Sequence, residues 1–174
     1  MPVSPLFDLD QLDLDSVVFD KNAIRSHNPH RFEFELIDAI CHFDSETLDA
    51  VGYHDLKEDA FWVRGHIPGT PIFPGALMIE SAAQLSAFCY RHRFGQESDR
   101  FFGFGGIDKL SFRGMASPGQ RLWMMCKDIV LNRRRSRFAV QGIVEDRIVF
   151  SGEIIGVSMP VVAKLDGEAQ AQQA

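Results

Sequence analysis

Apolar and polar residues alternate over several stretches of the chain, which is the period-2 pattern of half-buried β-strands. In RFEFELIDAICHFD, which begins at Arg31, Phe32 and Phe34 alternate with glutamates, and TLDAVGYHD (Thr47–Asp55) is predicted to be the hairpin partner. Further strands are predicted in FFGFGGIDKLSFRG, RLWMMCKDIVLN, SRFAVQGIVE and RIVFSGEIIGVSM. The short turns SPGQ, NRRR and ED between them favour an antiparallel sheet.

The middle segment PGALMIESAAQLSAFCYRH (74–92) has a different pattern and predicts one long helix. Pro74 suits the first turn, and the cationic run that starts at Arg91 suits the C-terminus. Apolar residues cover nearly every direction around this helix: Ala76, Leu77, Ile79, Ala83, Leu85, Ala87 and Phe88. We therefore expect a helix buried on all sides, enclosed by the antiparallel sheet in an α+β fold.

Two polar groups interrupt this apolar region, His66 and Glu80. The simplest interpretation is a satisfied core histidine and a glutamate at an exposed edge of the helix. However, prolines and glycines after His66 fix the backbone where the helix begins, and the amides of a helix N-terminus can stabilise an oxyanion. Glu80 lies two turns into a helix that the sheet should shield from water, and a carboxylate is rarely buried unless it is paired or used. The pattern favours a catalytic pair.

The overall composition excludes several classes of protein. The 174 residues fit one globular domain, and a net charge of -6 argues against nucleic-acid binding. Cys41, Cys89 and Cys126 are odd in number and far apart, which fits a reducing cytoplasm and indicates neither a disulfide framework nor a zinc site. Cys89 and Cys126 are predicted to be core thiols. The acidic N-terminus does not resemble a signal peptide, and prolines and glycines interrupt the apolar region 67–90, so no membrane span is expected.

The chain is divided into three predicted parts. Residues 1–27 form an acidic arm, because the spacing of Asp8, Asp10, Asp13 and Asp15 lacks the glycine and glutamate of a calcium-binding EF-hand loop. Residues 28–160 form the folded domain. Residues 161–174 end in a polar segment without apolar residues to bury, which predicts a disordered tail.

Three ordered segments resemble a known enzyme family. GHIPGTPIFPGALMIESAAQ (65–84) resembles the signature G-H-F-P-G-x-P-(I/V)-M-P-G-V-L-x-x-E-A-x-A-Q of the 3-hydroxyacyl-acyl-carrier-protein dehydratases, the FabZ branch of the FabA/FabZ family. NPHRFEFELID (28–38) is similar to the family's L-P-H-R-(Y/F)-P-(F/M)-L-L-(V/I)-D. GGIDKLSFRGMASPGQRL (105–122) is similar to A-G-I-D-x-x-x-F-R-x-P-V-x-P-G-D-x-L.

The resemblance implies a hotdog fold, in which an antiparallel sheet wraps a long helix. It also implies that His66 is the catalytic histidine, that Glu80 is the catalytic acid, and that Gln84, the glutamine of the motif, binds substrate. A glutamate rather than an aspartate at position 80 resembles the FabZ branch and not FabA, and therefore implies dehydration without isomerisation.

Removal of water from a 3-hydroxyacyl thioester needs a base at C2, an acid at the departing hydroxyl and a donor to the thioester carbonyl. His66 suits the base, Glu80 the acid and the Gly75 amide the donor. The apolar sequence neighbours of Glu80 are expected to favour its neutral form. No metal or cofactor is expected.

The resemblance implies that each active site takes its histidine and its carboxylate from different subunits, in a homodimer or a trimer of dimers. The implied partner is an acyl carrier protein. It would meet NRRRSR (132–137) together with four further arginines, although a solvated hairpin turn is the simpler interpretation of that segment. These arginines are Arg91, Arg93, Arg113 and Arg121.

Ile67, Phe73, Glu33, Glu35 and Gln120 depart from the family pattern but remove no catalytic group. Two other interpretations stay open. One is another hotdog enzyme acting on acyl thioesters, either a thioesterase or an enoyl hydratase, although thioesterases generally lack the His-x-Pro-Gly loop. The other is a catalytically silent hotdog protein that binds acyl chains.

Overall fold

The computed structural model describes residues 4–95 and 100–160. The predicted disordered tail, 161–174, lies outside the described residues. The helices are α1 (Lys21–His27) and α2 (Gly75–Phe94), and two short 3-10 turns span Leu9–Gln11 and Phe32–Phe34. The strands are β1 (Ala39–Phe43), β2 (Ala50–Asp55), β3 (Arg100–Phe112), β4 (Arg121–Asn132), β5 (Arg135–Val144) and β6 (Arg147–Pro160).

The six strands form one antiparallel sheet in the order β1-β2-β4-β5-β6-β3. Helix α2 packs on one face of the sheet and contacts strands β2 to β6. Phe88, Phe138 and Phe150 are fully buried between helix and sheet. This confirms the predicted hotdog architecture. None of the helices in the described ranges is long and apolar enough to cross a bilayer.

Burial of α2 is incomplete along one stripe. Most of the helix is buried against the sheet, as its apolar composition predicts. Residues spaced by three or four positions, however, remain partly or fully exposed in the single chain. They are Ala76, Ile79, Glu80, Ala83 and Ala87. The expectation of burial on all sides is therefore wrong for this stripe, which leaves Glu80 accessible.

The first predicted strand begins later than its alternating pattern indicates. Residues Phe32–Phe34 form a 3-10 turn, Phe32 has a positive φ of 57° and an exposed side chain, and β1 starts at Ala39. The reason is tertiary: the Gln84 side chain accepts a hydrogen bond from the Leu36 amide and donates one to the Phe34 carbonyl. These bonds occupy backbone groups that a β-ladder would need. The predicted β1–β2 hairpin itself is confirmed.

The two edges of the sheet differ. At the β1 edge, Phe19 pairs with Ile40 through backbone hydrogen bonds in both directions. At the other edge, β3 is hydrogen-bonded to β6 on one side and pairs with no strand of the described residues on its other side. Large apolar side chains on β3 are exposed: Phe101, Phe104, Leu110 and Phe112. A long apolar edge strand of this kind is a template for pairing with another chain.

The N-terminal segment combines the expected acidic surface with an apolar face. The carboxylates of Asp8, Asp10, Asp13 and Asp15 are exposed. The apolar side chains of the same segment pack on the face of the sheet opposite α2, against Val51, Met125 and Ile143. These side chains are Leu6, Phe7, Leu9, Leu12 and Leu14. The alternation of leucine with aspartate was the signal for this packing, and the acidic composition concealed it.

Candidate active site

His66 lies in a turn that precedes α2, and a backbone carbonyl determines which of its ring nitrogens carries a proton. Its amide donates to the Trp62 carbonyl at 2.8 Å, and its Nδ1 lies 2.8 Å from the Ile72 carbonyl oxygen. A carbonyl oxygen only accepts hydrogen bonds, so Nδ1 carries the proton. In the neutral ring this leaves the lone pair on Nε2, which is the arrangement of a general base.

The loop after His66 is held in place at several points. Ile67 adopts a positive φ of 59°, which is unusual for a β-branched residue, and Gly69 has a φ of 90°. The carbonyl of Ile67 accepts from the Thr70 amide at 3.0 Å. Phe73 is buried against the Trp62 ring, and its amide donates to the Ala116 carbonyl. The strained backbone is therefore anchored on both sides of the turn.

Gly75 is the first residue of α2, directly after Pro74 at the N-cap. The first amides of an α-helix have no acceptor within the helix, so the Gly75 N–H is available to a developing negative charge. The Phe112 ring lies against this helix start. A Cβ at position 75 would lie 2.9 Å from Cζ of Phe112, so a larger residue there would require the Phe112 ring to move.

Glu80 accepts two hydrogen bonds in the single chain. Its Oε1 lies 3.3 Å from Nε2 of His30 and 3.0 Å from Nε2 of Gln84. The hydrogen bond from His30 lowers the pKa of Glu80, and the bond from Gln84 acts in the same direction, whereas burial opposes both. The expectation that apolar sequence neighbours favour neutral Glu80 is therefore wrong in the single chain. The residue that contributes most to the lowered pKa, His30, is distant from Glu80 in the sequence.

Gln84 connects the helix to the segment that carries His30. Besides its bond to Glu80, the Gln84 side chain forms hydrogen bonds with the backbone of Phe34 and Leu36. The backbone carbonyl of Gln84 accepts a hydrogen bond from Asn28 Nδ2 at 2.9 Å. The amide group of Gln84 is therefore engaged on both its oxygen and its nitrogen. This network positions Glu80 and His30, while direct contact of Gln84 with substrate stays a prediction.

His30 is the site residue that sequence reasoning missed. Fifty positions separate His30 from Glu80 along the chain, and no spacing rule relates the two residues. Its Nδ1 is buried and has no hydrogen-bond partner in the described part of the chain. The available signal was its position inside NPHRFEFELID, one of the segments that resemble the dehydratase family.

His66 and Glu80 do not meet within one chain. Across residues 4–95 and 100–160, no hydrogen bond or ion pair joins them. Glu80 lines a cavity of about 220 Å³ together with His30, whereas His66 does not line it. The single chain thus holds the candidate base and the candidate acid apart.

The arginines expected to meet an acidic partner have different surroundings. Arg121 forms an ion pair with Asp55 and lies over the Tyr53 ring, and the Arg93 guanidinium bonds backbone carbonyls of the β1–β2 turn. Arg113 is exposed, as expected for a docking surface. Arg91 is buried and lines the cavity next to Glu80, so its expected place on a docking surface is wrong.

Comparisons with known proteins identify the domain family and the fold. A family model described as the FabA-like domain matches residues 28–154. The dehydratase heterocomplex ApeI:P from Xenorhabdus doucetiae superimposes with a TM-score of 0.66 at 11% identity, covering 78% of this chain and 90% of that chain. A mutant thioesterase, PA1618 from Pseudomonas aeruginosa, superimposes with a TM-score of 0.61 at 12% identity, covering 83% and 96%. Cj0977, a sigma28-regulated virulence protein from Campylobacter jejuni, superimposes with a TM-score of 0.60 at 16% identity, covering 85% and 96%. At these identities the structural neighbours establish the fold alone.

Proposed function

Because the chain belongs to the FabA-like domain family, we propose that it is a 3-hydroxyacyl-acyl-carrier-protein dehydratase of the FabZ-like branch. It converts a (3R)-3-hydroxyacyl thioester into the trans-2-enoyl thioester in the biosynthesis of fatty acids or related acyl chains. The observation that carries the proposal is the hydrogen bond from His66 Nδ1 to the Ile72 carbonyl. It leaves Nε2 as a base beside the start of α2, which is what abstraction of a C2 proton needs.

The proposed reaction assigns one task to each group. Nε2 of His66 takes the C2 proton, and the electron pair of the C2–H bond forms the C2=C3 double bond. The C3–O bond breaks, and the hydroxyl leaves as water with a proton from Glu80. The Gly75 amide donates to the thioester carbonyl oxygen as it gains negative charge. After the reaction His66 carries the proton taken from C2 and Glu80 has lost its proton to the water that leaves. Exchange with solvent deprotonates His66 and reprotonates Glu80 before the next turnover.

His30 acts in this proposal as a positioning residue for Glu80. Its hydrogen bond orients the carboxylate, but it also favours the ionised form, whereas the acid must be protonated to act. A second subunit that covers the exposed side of α2 would remove water from Glu80 and raise its pKa toward the working range. The acid thus becomes competent only in the assembled protein.

A homodimer supplies the cover that the single chain lacks. The uncovered β3 edge, with its exposed phenylalanines, is the natural pairing surface, since the opposite edge is already occupied by Phe19. A second subunit paired along β3 would lie beside the cavity that Glu80 lines, because Phe101 and Phe104 of β3 line the same cavity. We propose that His66 of one subunit works with Glu80 of the other. A trimer of dimers stays a prediction.

The proposed partner is an acyl carrier protein, and the proposed location is the cytoplasm, where the three buried free cysteines stay reduced. Arg113, Arg134 and Arg135 are exposed and complement the acidic surface of a carrier. The carrier presents the acyl chain as a thioester, which is the form that the proposed reaction needs.

One assay tests the activity against its alternatives. The protein is incubated with 3-hydroxyacyl thioesters of several chain lengths on acyl carrier protein, and enoyl absorbance and free thiol are recorded together. A dehydratase produces enoyl thioester without thiol. Release of thiol without enoyl product would identify a thioesterase, and no change in either signal across the series would indicate a silent binding protein.

A further inference from the structure

The cavity beside Glu80 continues along α2 toward the C-terminal end of the helix. Glu80, Ala83, Ala87 and Arg91 lie on one face of the helix and line it in that order. Eleven residues separate the first from the last, which corresponds to roughly 16 Å along the helix axis. The cavity is therefore long enough to hold an extended chain between two charged residues of opposite sign.

The walls between these ends suit a hydrocarbon chain. The helix contributes the small side chains of Ala83 and Ala87, and the sheet contributes Ile154, Ile155 and Phe104. Neither helix nor sheet places a charged side chain on this middle part of the lining. The end near Glu80 also holds His30, so the reacting carbons of a thioester belong at that end.

Arg91 is an unusual residue for the far end. Its side chain is buried, with 9% of the residue exposed, and within the described ranges it forms no ion pair. Its guanidinium donates to the His27 carbonyl at 3.1 Å, and to Asn28 Oδ1 and the Phe102 carbonyl at 3.5 Å each. These acceptors are all neutral, so no carboxylate of residues 4–95 or 100–160 balances the positive charge. Buried charges are normally paired, because desolvation is costly.

Ser136 is a second unsatisfied group at the same end. Only 1% of this β5 residue is exposed, its Oγ is buried, and it has no hydrogen-bond partner in the part of the chain that the structure describes. It lines the same cavity as Arg91, and both lie beside Phe102. A buried cation whose acceptors are all neutral and a buried hydroxyl without a partner in the described residues lie at the same end of the cavity. Together they indicate a ligand that supplies oxygen atoms there.

We propose that this end of the cavity binds a terminal carboxylate, so that the substrates are 3-hydroxyacyl chains that end in a carboxylate instead of a methyl group. Arg91 pairs with the carboxylate through its planar guanidinium, and Ser136 donates its hydroxyl to it. Glu80 at the other end provides no positive charge to pair with a carboxylate, whereas Arg91 does, so the chain enters in one direction. The assignment of the reacting end rests on the proposed dehydratase activity.

The alternative role for Arg91 is structural, as a clamp that holds the carbonyl of His27 and the side chain of Asn28 against α2. The two roles predict different consequences for ligand binding. A clamp supports the fold and does not distinguish the end group of a chain. A carboxylate-binding residue distinguishes it directly.

The test measures binding without turnover. Acyl-pantetheine thioesters that lack the 3-hydroxyl group, with either a carboxylate or a methyl terminus, are titrated by calorimetry over a series of matched chain lengths. The wild-type protein should bind the carboxylate series at least 10-fold more tightly at the best length. Arg91→Met should abolish this preference and Arg91→Lys should retain part of it. Ser136→Ala should weaken the carboxylate series several-fold and leave the methyl series unchanged.

Three results would overturn the inference: equal or tighter binding of the methyl series by the wild type, a parallel loss of both series in Arg91→Met, or unchanged selectivity in Ser136→Ala and Arg91→Lys. The serine variant keeps the test valid if Arg91→Met does not fold. Because no turnover is involved, selective binding without any dehydration would reject the proposed activity and leave the carboxylate site standing. Dehydration of methyl-ended chains, with no preference for the carboxylate series in binding, would support the proposed activity and reject the carboxylate site.

Discussion

Nε2 of His30 lies 3.3 Å from Oε1 of Glu80, although the two residues belong to different segments of the chain. Gln84 maintains this contact, since it bonds both the carboxylate and the backbone that follows His30. The candidate acid therefore has an imidazole as one of its two side-chain partners, and that imidazole is not the candidate base. In the proposed mechanism the two histidines have separate roles, since His66 abstracts the substrate proton and His30 orients Glu80.

Substitution of either proton-transfer group should remove activity without unfolding the protein. His66→Ala and Glu80→Gln should each lower kcat by about two orders of magnitude or more, since each deletes an acid or base. Steady-state rates on a 3-hydroxyacyl carrier substrate measure the effect, and circular dichroism serves as the control for folding. Near-native dehydration by either variant would show that the assigned role is wrong.

Mixing the two inactive variants tests the shared site. A heterodimer of His66→Ala and Glu80→Gln chains contains one site with both lesions and one site with neither. Random pairing after co-refolding should leave roughly a quarter of all sites intact, so about a quarter of wild-type activity should return. If a mixture verified to contain heterodimers stays inactive, both groups act within one chain.

Removal of the His30 imidazole should change the pH dependence of the reaction. The hydrogen bond from His30 holds the pKa of Glu80 below its usual value, so His30→Phe should raise that pKa and keep the acid protonated to higher pH. Loss of orientation should at the same time lower kcat about 10- to 100-fold. The pH profile of kcat measures both effects.

His30→Gln is the matched control, because its amide nitrogen can still donate to Glu80. The limb of the profile that belongs to Glu80 should stay close to its wild-type position in this variant and move to higher pH in His30→Phe. Superimposable profiles for wild type and His30→Phe would remove His30 from the mechanism.

Asp38 should control stability at acid pH. Burial alone would raise its pKa, but hydrogen bonds from His54, Lys21 and the Asp55 amide outweigh burial and hold the pKa well below the usual 3.8. A carboxyl group with a depressed folded pKa contributes stability above its unfolded pKa and loses that contribution as pH falls through the folded value. Asp38→Asn should therefore cost about 2 kcal/mol of unfolding free energy at pH 7.

The difference between wild type and Asp38→Asn should shrink as the pH falls below about 4, where the unfolded wild-type chain takes up the proton. Urea denaturation at a series of pH values measures it. Asp10→Asn is the control, since Asp10 is exposed and should give no comparable difference. A cost for Asp38→Asn that does not vary with pH would mean that shape, and not charge, stabilises this position.

Much of the architecture was predictable because its elements follow local rules. Period-2 alternation in β4, β5 and β6 and the run of helix formers in α2 reflect which side chains face the core. Short turns pair β4 with β5 and β5 with β6, but the turn SPGQ does not pair β3 with β4, because β3 lies beside β6 at the edge of the sheet. The motif around His66, Gly75 and Glu80 identified these candidates, because the loop and the helix start carry them in one continuous segment. Their catalytic roles stay proposals.

Only the tertiary structure decided features that depend on residues distant in the sequence. The alternation at Phe32 and Phe34 predicted a strand, but Gln84 binds this backbone and makes it a turn. The apolar neighbours of Glu80 predicted a neutral acid, but His30 lowers its pKa. Arg91 was predicted to meet an acidic carrier at the surface, but it is buried and lines the cavity next to Glu80. The local sequence predicts turns and which residues are buried. The charge state of a buried group, however, depends on hydrogen bonding and desolvation, which come from neighbours that only folding brings close to it.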